Sequence, residues 1–566
     1  MEKIWLKSYP PGVPDEIDAK VLGALPDILD LACERYAERA AFLNLGRSVS
    51  YGELRELSSS FAAYLRNCVR LSPGERVAIM LPNLLQYPVA LFGVFGAGGV
   101  VVNVNPQYTA RELEYQLNDS GATVVVVLEN FAHVLERALP ATQVRHVVVT
   151  GVGDLLGLAK GAIVNLAVKY VRHMVPDWNI PGAVGFKDAL EAGRGLSFTP
   201  VRPAAEDIAF LQYTGGTTGV PKGAVLTHGN MAANVEQTLA WVSGVLKEGE
   251  EVAVIPLPLY HIFALMAMLS FMRLGASNIL ITDPRDLHGL VKELKHSDFS
   301  VMIGVNTLFN AILNFEEAGE LKPRTLKLVI AGGMAVQRPV AERWRKVFGT
   351  QMIEGYGLTE CSPIVCANPL NATEFSGRAG LPLPSTEVAI CDDEGNELPP
   401  GESGEILVRG PQVMTGYWNR PDETRLVLTE DGWLHTGDIG LVDDEGYVKL
   451  LDRKKDVIVV SGFKVFPAEI EEVVSMLAGV VEVAVVGVPD ERSDQAVKLV
   501  VVRSDTSLTV EDLADHCRKN LTGYKVPKYF DLRETPLPKS NIGKVLRRLV
   551  RDEEALRAPH PDAEVH

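Results

Sequence analysis

"DIAFLQYTGGTTGVPKGAVLTHGNMAANV", residues Asp207–Val235, is the stretch on which the reading of the fold turns. An apolar run with strand character leads into a loop of glycine and threonine. A second apolar run follows and passes into a helix start. The loop itself, "YTGGTTGVPKG" (Tyr213–Gly223), has the chemistry of an anion cradle. Glycines let backbone amides approach an anion, threonine hydroxyls donate to its oxygens, and a lysine adds a mobile positive charge. It is not a Walker loop, which needs G-x-x-x-x-G-K-[ST]. Pro221 stands before Lys222, and Gly223 follows where a metal-binding hydroxyl would be required. A glycine-rich turn on a strand end suits anionic ligands in α/β proteins; a surface hairpin rich in turn residues is the plain alternative.

Outward from this loop the chain repeats one grammar. "RVAIMLPN", "GGVVVNVNP", "ATVVVVLEN" and "VRHVVVTG" read as buried strands, with helix periodicity in "LLQYPVALFGVFGAG" and "TARELEYQLNDSG" between them. Such alternation predicts parallel sheets covered on both faces. "VAVIPLPL", "SNILIT", "FSVMIGV" and "LKLVIAGG" continue the pattern. From about Ser385 the texture changes to short strands with Gly, Pro and Asp turns, which predicts an antiparallel β-rich subdomain over about 385–450. After "YVKLLDRKKD" the chain starts again as a small α+β unit. The expected organisation is therefore α/β, with a large N-terminal domain (1–452) and a small mobile C-terminal domain (453–566). The last fifteen residues, "DEEALRAPHPDAEVH", read as a frayed polar end.

Composition narrows the function classes. At 566 residues the chain exceeds what one core supports. Against 55 basic residues stand 72 acidic ones, a net charge of −17, which argues against nucleic-acid binding. Six scattered cysteines without a C-x-x-C pair point to a reducing compartment and no zinc site. "MEKIWLKSYPPG" lacks the apolar core of a signal peptide, and no run of 18 apolar residues is present to span a membrane.

Four further stretches carry chemistry. "EGYGLTE" (Glu354–Glu360) offers the ring of Tyr356 to a purine and the carboxylate of Glu360 to a magnesium ion on phosphates, with Gly357 and Thr359 between them. "GWLHTGD" ends in Asp438, a carboxylate suited to a pair of ribose hydroxyls. "DRKKD" (Asp452–Asp456) presents Arg453 at the texture change, and "PKSNIGKVLRR" places Lys544 after a turn near the C-terminus. Taken singly, each reads equally as a core aromatic, a turn aspartate or a solvated charge.

Together and in this order they resemble the adenylate-forming acyl-CoA synthetase superfamily, and within it the bacterial long-chain fatty acyl-CoA synthetases. The narrower likeness rests on Asp431–Glu471 ("DGWLHTGDIG…FPAEIE") and on "MIGVNTLFNAIL" (Met302–Leu313). The resemblance runs from "YGEL" at Tyr51 to "GKVLRR". It implies that ATP and a fatty acid give an acyl-adenylate and pyrophosphate, after which CoA displaces AMP. By carry-over, Thr214, Gly215, Gly216, Thr217, Thr218, Gly219 and Lys222 hold the nucleotide's phosphates, and Thr217 and Glu360 bind Mg2+. Gly332, Gly333, Tyr356, Gly357 and Thr359 surround adenine; Asp438 and Arg453 hold ribose. Lys544 bridges the attacking carboxylate and the α-phosphate, and His261 sits at the acyl pocket. Lys455 is the expected hinge, with Ser461, Gly462, Phe463 and Lys464 forming a CoA loop. One departure is that Asn541-Ile542 precedes Gly543-Lys544 where many relatives have threonine, which touches the turn and not the lysine.

The resemblance also implies a cytoplasmic enzyme with fatty acid, ATP and CoA as substrates. Peripheral attachment to the inner face of the cell membrane and a homodimer are further expectations. "LYHIFALMAMLSFM" (Leu259–Met272) reads either as core or as an acyl tunnel wall. "LLGLAKGAIVNLAVKYVRHMV" (Leu155–Val175) places Asn165, Lys169, Arg172 and His173 on one helical face, with Leu158, Val164 and Val171 away from it; this reads as a membrane-surface helix or an ordinary packed one. Three rivals remain beside a CoA ligase. A fatty acyl-AMP ligase would carry an insertion near the hinge, and none is seen between Asp438 and Gly462. A non-catalytic sensor would lack Lys544 or Glu360. A luciferase-like oxidase fits the fatty-acid signature poorly.

Overall fold

A computed structural model describes residues 2–18, 21–214, 220–321, 323, 325–490, 493–540 and 543–556. Two large sheets carry the N-terminal part. The first has nine strands, and its centre (Ala40–Asn44, Ser277–Leu280, Val252–Ile255, Val301–Gly304, Leu328–Ala331 and Met352–Gly357) is parallel. The second has eight, and its centre, from Ile208–Thr214 through Val100–Asn103, Arg76–Met80, Ala122–Leu128 and His146–Thr150, is parallel as well. Valine-rich strands such as "ATVVVVL" are buried along almost their whole length, as strands covered on both faces must be.

The expectation of parallel sheets needs correction at their edges. Arg47–Ser50, Ile364–Ala367 and Leu381–Pro382 pair antiparallel in the first sheet. In the second, Ile208–Thr214 turns straight back into Lys222–Thr227 as an antiparallel pair, so the Gly/Thr loop is the tip of a β-hairpin. The hairpin reading thus describes the flanking strands, while Gly215–Gly219 at its tip lie outside the described residues. Behind it, Thr227 caps the helix His228–Val242 in a capping box with Asn230, which fixes the exit of the hairpin.

The β-rich subdomain is a four-stranded antiparallel sheet: Glu387–Cys391, Gly404–Arg409, Leu434–Val442 and Val448–Arg453. The C-terminal part builds a separate five-stranded sheet with helices Pro467–Ser475 and Val510–Asn520. Its apolar cluster, from Ile458 to Phe530, is distinct from the cluster joining Leu22 to Val448. The frayed-end expectation is corrected for its first residues: Arg547–Leu556 is helical, anchored by Arg533 on Glu553 and Glu554. In Leu259–Met272, Leu265, Met266, Met268, Leu269 and Met272 of the helix Ile262–Arg273 are fully buried.

Candidate active site

Residues 354–360, 438, 453 and 544 are far apart in the chain and meet in space. Asp438 and Arg453 face each other in register on adjacent strands of the β-rich sheet. The Arg453 Nε lies 2.8 Å from Asp438 Oδ1, and the Tyr356 hydroxyl donates to Oδ2 at 2.7 Å. The Asp438 backbone N–H donates to Thr436 Oγ1 at 3.1 Å. Burial pushes the Asp438 carboxyl up from its ordinary range, and the charge of Arg453 opposes that shift. A carboxylate has about four lone-pair sites and this one spends two on protein, so it can still accept from a diol.

Lys544 reaches this pair from the C-terminal part. Its turn is closed by Ser540 N–H to the Lys544 carbonyl at 2.7 Å and by Gly543 N–H to the Ser540 carbonyl at 2.8 Å. Gly543 has φ +84°, and a Cβ there would lie 2.4 Å from Thr307 Oγ1 on the helix Asn306–Asn314 of "MIGVNTLFNAIL". Only glycine fits both the left-handed turn and that approach. Lys544 is exposed as a residue, yet protein crowds its ammonium at longer range. This desolvation, followed by repulsion from Arg453, lowers its pKa. On the other side Lys544 acts on His261, whose pKa is lowered to about 4 by desolvation first and by Lys544 second. His261 is therefore a neutral imidazole at neutral pH. It lies at the N-cap of the helix Ile262–Arg273, where its Nδ1 accepts from Phe263 N–H at 3.4 Å, not within an apolar helix.

Gly332 and Gly333 follow the strand Leu328–Ala331. A Cβ on Gly332 would sit 3.2 Å from the Phe263 ring, and Gly333 has φ +75°. A Cβ on Gly357 would meet the Pro363 carbonyl oxygen at 2.0 Å, so the close approach of the paired strand requires glycine there. Thr359 and Glu360 lie on one 3-10 turn, and Glu360 Oε1 accepts from the Tyr417 hydroxyl at 2.7 Å. Thr214 and Lys222 close the β-hairpin as register partners. Gly215, Gly216, Thr217, Thr218 and Gly219 lie outside the described residues.

Sequence reasoning missed the shell that holds these groups. Lys222 is ion-paired with Glu423, and its Nζ stands 5.2 Å from the centroid of the Tyr417 ring. Tyr417 thus touches both the hairpin lysine and Glu360. Beneath the hairpin, Asp119 accepts from Tyr213 at 2.6 Å and from Arg420 at 2.9 Å. Tyr417, Arg420 and Glu423 all come from "GYWNRPDET", whose Tyr-Trp-Asn-Arg-Pro run is a turn signal leading into a helix with Pro421 in its first turn. At the junction of the two parts, Arg547 donates to Glu471 at 2.8 and 2.6 Å and pairs with buried Asp452.

Two expected elements stand apart from this cluster. Lys455 lies exposed on the 3-10 turn Lys454–Asp456 and makes no ion pair among the described residues, whereas its neighbour Lys454 binds Asp393 and Glu405 at 3.0 and 3.2 Å. Ser461, Gly462, Phe463 and Lys464 form an exposed hairpin tip with φ +50° at Ser461 and +83° at Gly462. Phe463 stacks on Tyr524 with centroids 4.8 Å apart, and Lys464 reaches Asp393 at 3.4 Å.

Set beside known proteins, residues 29–418 match the AMP-binding enzyme family, and residues 469–544 match the AMP-binding enzyme C-terminal domain. A Yersinia pestis protein named long-chain-fatty-acid–CoA ligase is 54% identical over 555 residues, with 98% of each chain covered. A Haemophilus influenzae protein of the same name is 48% identical over 563 residues, covering 99% of this chain and 100% of that one. Among solved structures, an anthranilate CoA ligase, AuaEII, in complex with anthranoyl-AMP superposes with a TM-score of 0.84. That likeness covers 95% of this chain and 99% of the other at 23% identity, so it concerns the fold alone.

Proposed function

Because this chain belongs to the family of AMP-binding enzymes, we propose that it ligates a long-chain fatty acid to CoA through an acyl-adenylate, consuming ATP and releasing AMP and pyrophosphate. The observation that carries the reading is the convergence of Lys544 with Asp438, Arg453 and His261 from the other side of the cleft. In this reading the domains divide at 452/453, and the smaller one delivers the lysine.

A carboxylate is a poor acyl donor because its leaving group would be an oxide. Its oxygen attacks the α-phosphorus, pyrophosphate departs, and the acyl group then has a good leaving group. The protein's work is positioning and charge neutralisation. Lys544 sits where it can bridge the incoming carboxylate and the α-phosphate, and neutral His261 can donate to the carboxylate without adding a second positive charge. Asp438 and Arg453 orient the ribose, while Tyr356, Gly357, Thr359, Gly332 and Gly333 offer a flat, unobstructed wall for adenine. Lys222 and the hairpin tip carry the charge of the departing pyrophosphate.

Glu360 has one carboxylate oxygen free of the Tyr417 bond, and a nucleotide-bound magnesium ion needs only one or two such ligands. A Mg2+ ion held by Glu360, with Thr217 as its other expected ligand, would offset phosphate charge. In the second half-reaction a thiol must reach the carbonyl that Lys544 faces, so the small domain must move. Rotation about Lys455 would withdraw Lys544 and bring the exposed Ser461–Lys464 tip toward the thiol's path. The cellular setting we propose is the cytoplasm, with peripheral contact to membrane lipids and a homodimer as the further association.

The test is pyrophosphate release from ATP and palmitate, with and without CoA. The reading predicts one equivalent per site without CoA and sustained turnover with palmitoyl-CoA formed. One equivalent with or without CoA, and no CoA-thioester, would support the acyl-AMP ligase, and no release at all would support a sensor.

A further inference from the structure

The helix within Leu155–Val175 is built inside out. Its inward face is small and polar: Gly161 approaches Gly153 so closely that a Cβ would lie 2.3 Å from the Gly153 carbonyl oxygen. Asn165, one turn on, accepts from Gly153 N–H at 2.6 Å and donates to Asp154 at 3.0 Å. The sequence reading grouped Asn165 with Lys169 and Arg172; here Asn165 packs inward while Lys169 and Arg172 are exposed, and so are Leu158 and Val171, which that reading set away from the polar face. The outward face is apolar. Leu158 is 92% exposed, Ile163 66%, Leu166 57%, Tyr170 62% and Val171 76%. Leu166 and Tyr170 are i,i+4 neighbours, and with Leu158 at its start and Ile163 between they make the exposed side of the helix Leu158–Leu166 and of the π-turn Ala167–Val171 that extends it apolar. An ordinary surface helix has the opposite arrangement.

The charge on this element is as unusual as its apolarity. In a chain of net charge −17, residues 155–176 contain no Asp or Glu, while Lys160, Lys169, Arg172 and His173 lie among them. Lys169 and Arg172 make no ion pair among the described residues. Asp154 behind the helix is only 10% exposed at its side chain, bound by Thr150 and Asn165. Among the described residues no helix is long and apolar enough to cross a membrane, so the stripe is a surface and not a span.

We infer that the Leu158–Met174 face is the membrane-docking surface, lying in the headgroup plane of an anionic bilayer. Leu158, Ile163, Leu166 and Tyr170 enter the acyl boundary while Lys169, Arg172 and His173 meet lipid phosphates. The inference deepens the membrane contact proposed above and rests on it. A second copy of the chain is the less fitting occupant. A two-fold contact would set this cationic edge against its own copy, whereas an anionic surface is complementary along its whole length. The fit to function is that fatty acids partition into the same plane.

The test is flotation of the full chain with phosphatidylglycerol-containing vesicles and with pure phosphatidylcholine vesicles. Lys169→Glu/Arg172→Glu should lose on the order of a hundredfold in partitioning to the anionic vesicles and little to the neutral ones. Leu158→Ser/Ile163→Ser/Leu166→Ser should lose binding to both. Because these side chains are exposed, thermal stability and turnover of a short, soluble fatty acid should be unchanged, which excludes misfolding. If the parent floats and both variants float equally, the docking surface lies elsewhere and the inference fails alone. If the parent does not float on anionic vesicles, the membrane reading itself fails. If the serine variant instead turns a dimer into a monomer with flotation intact, the stripe is an interface between copies, and the inference is overturned.

Discussion

Gly543→Ala tests the closed arrangement of the two domains through one methyl group. Gly543 has φ +84°, and the added Cβ would lie 2.4 Å from Thr307 Oγ1, about 1 Å inside van der Waals contact. The left-handed backbone costs alanine roughly 1–2 kcal/mol wherever the turn is held. The collision costs a further ~1–3 kcal/mol, and only while Lys544 is in the cleft. Adenylation should therefore slow by about ten- to hundredfold through the collision alone, since ~1.4 kcal/mol is tenfold. Thioester formation from supplied palmitoyl-AMP, with the small domain swung away, should feel only the local turn strain. Thr307→Ala removes the offending oxygen and leaves the Thr307 Cβ 3.5 Å from the new methyl, an ordinary contact. Combined with Gly543→Ala it should restore most of the lost adenylation. Palmitate-dependent exchange of pyrophosphate into ATP reports the first half-reaction, and palmitoyl-CoA formed from palmitoyl-AMP reports the second. Equal slowing of both steps by Gly543→Ala, or no rescue by Thr307→Ala, would refute the closed-cleft reasoning.

Lys544→Ala should lose adenylation while still converting supplied acyl-AMP to the thioester. Lys455→Pro, which fixes φ near −65° at the expected hinge, should do the reverse, and separate half-reaction assays distinguish them. Tyr417→Phe leaves Glu360 without the 2.7 Å hydroxyl that orients it but preserves the ring beside Lys222. It should raise the Mg2+ concentration needed for half-maximal pyrophosphate release several-fold, with little change in thermal stability. Glu354 is an acid whose pKa burial pushes up to about 8 from 4.5. Between those values the folded chain keeps a proton that the unfolded chain has released, so stability falls as pH rises through the window, by at most about 1.4 kcal/mol per pH unit. Glu354→Gln should accordingly stabilise the protein at the upper end of the window and change little at its lower end, as read by thermal unfolding.

What was legible in the sequence is what has a local signal. Continuous apolar runs such as "ATVVVVL" marked the parallel strands, because a strand buried on both faces leaves no alternation. The Asp438–Arg453 pair was foreseen only through the resemblance, since the two charges lie on different strands of a β-hairpin and nothing local joins them. The Tyr417–Glu360 and Lys222–Glu423 contacts left no trace in periodicity. They depend on Gly416–Tyr417 adding to the edge of the hairpin sheet, a pairing across roughly 190 residues. Which side of the helix at Leu158 packs inward stayed open in the sequence for a physical reason. Hydrophobic periodicity locates a stripe but assumes that the apolar side packs inward; here Gly161 and Asn165 take the inner side by close backbone approach and hydrogen bonding.

The central claim is that the fatty acid is activated as an adenylate, and oxygen tracing tests it most directly. Palmitate labelled with 18O at both carboxylate oxygens is turned over with ATP and CoA, and AMP, pyrophosphate and palmitoyl-CoA are analysed by mass. Attack of the carboxylate on the α-phosphorus followed by thiol attack on the carbonyl predicts one 18O in AMP, one in the thioester carbonyl and none in pyrophosphate. Label in pyrophosphate or orthophosphate, or unlabelled AMP beside labelled thioester, would contradict the account.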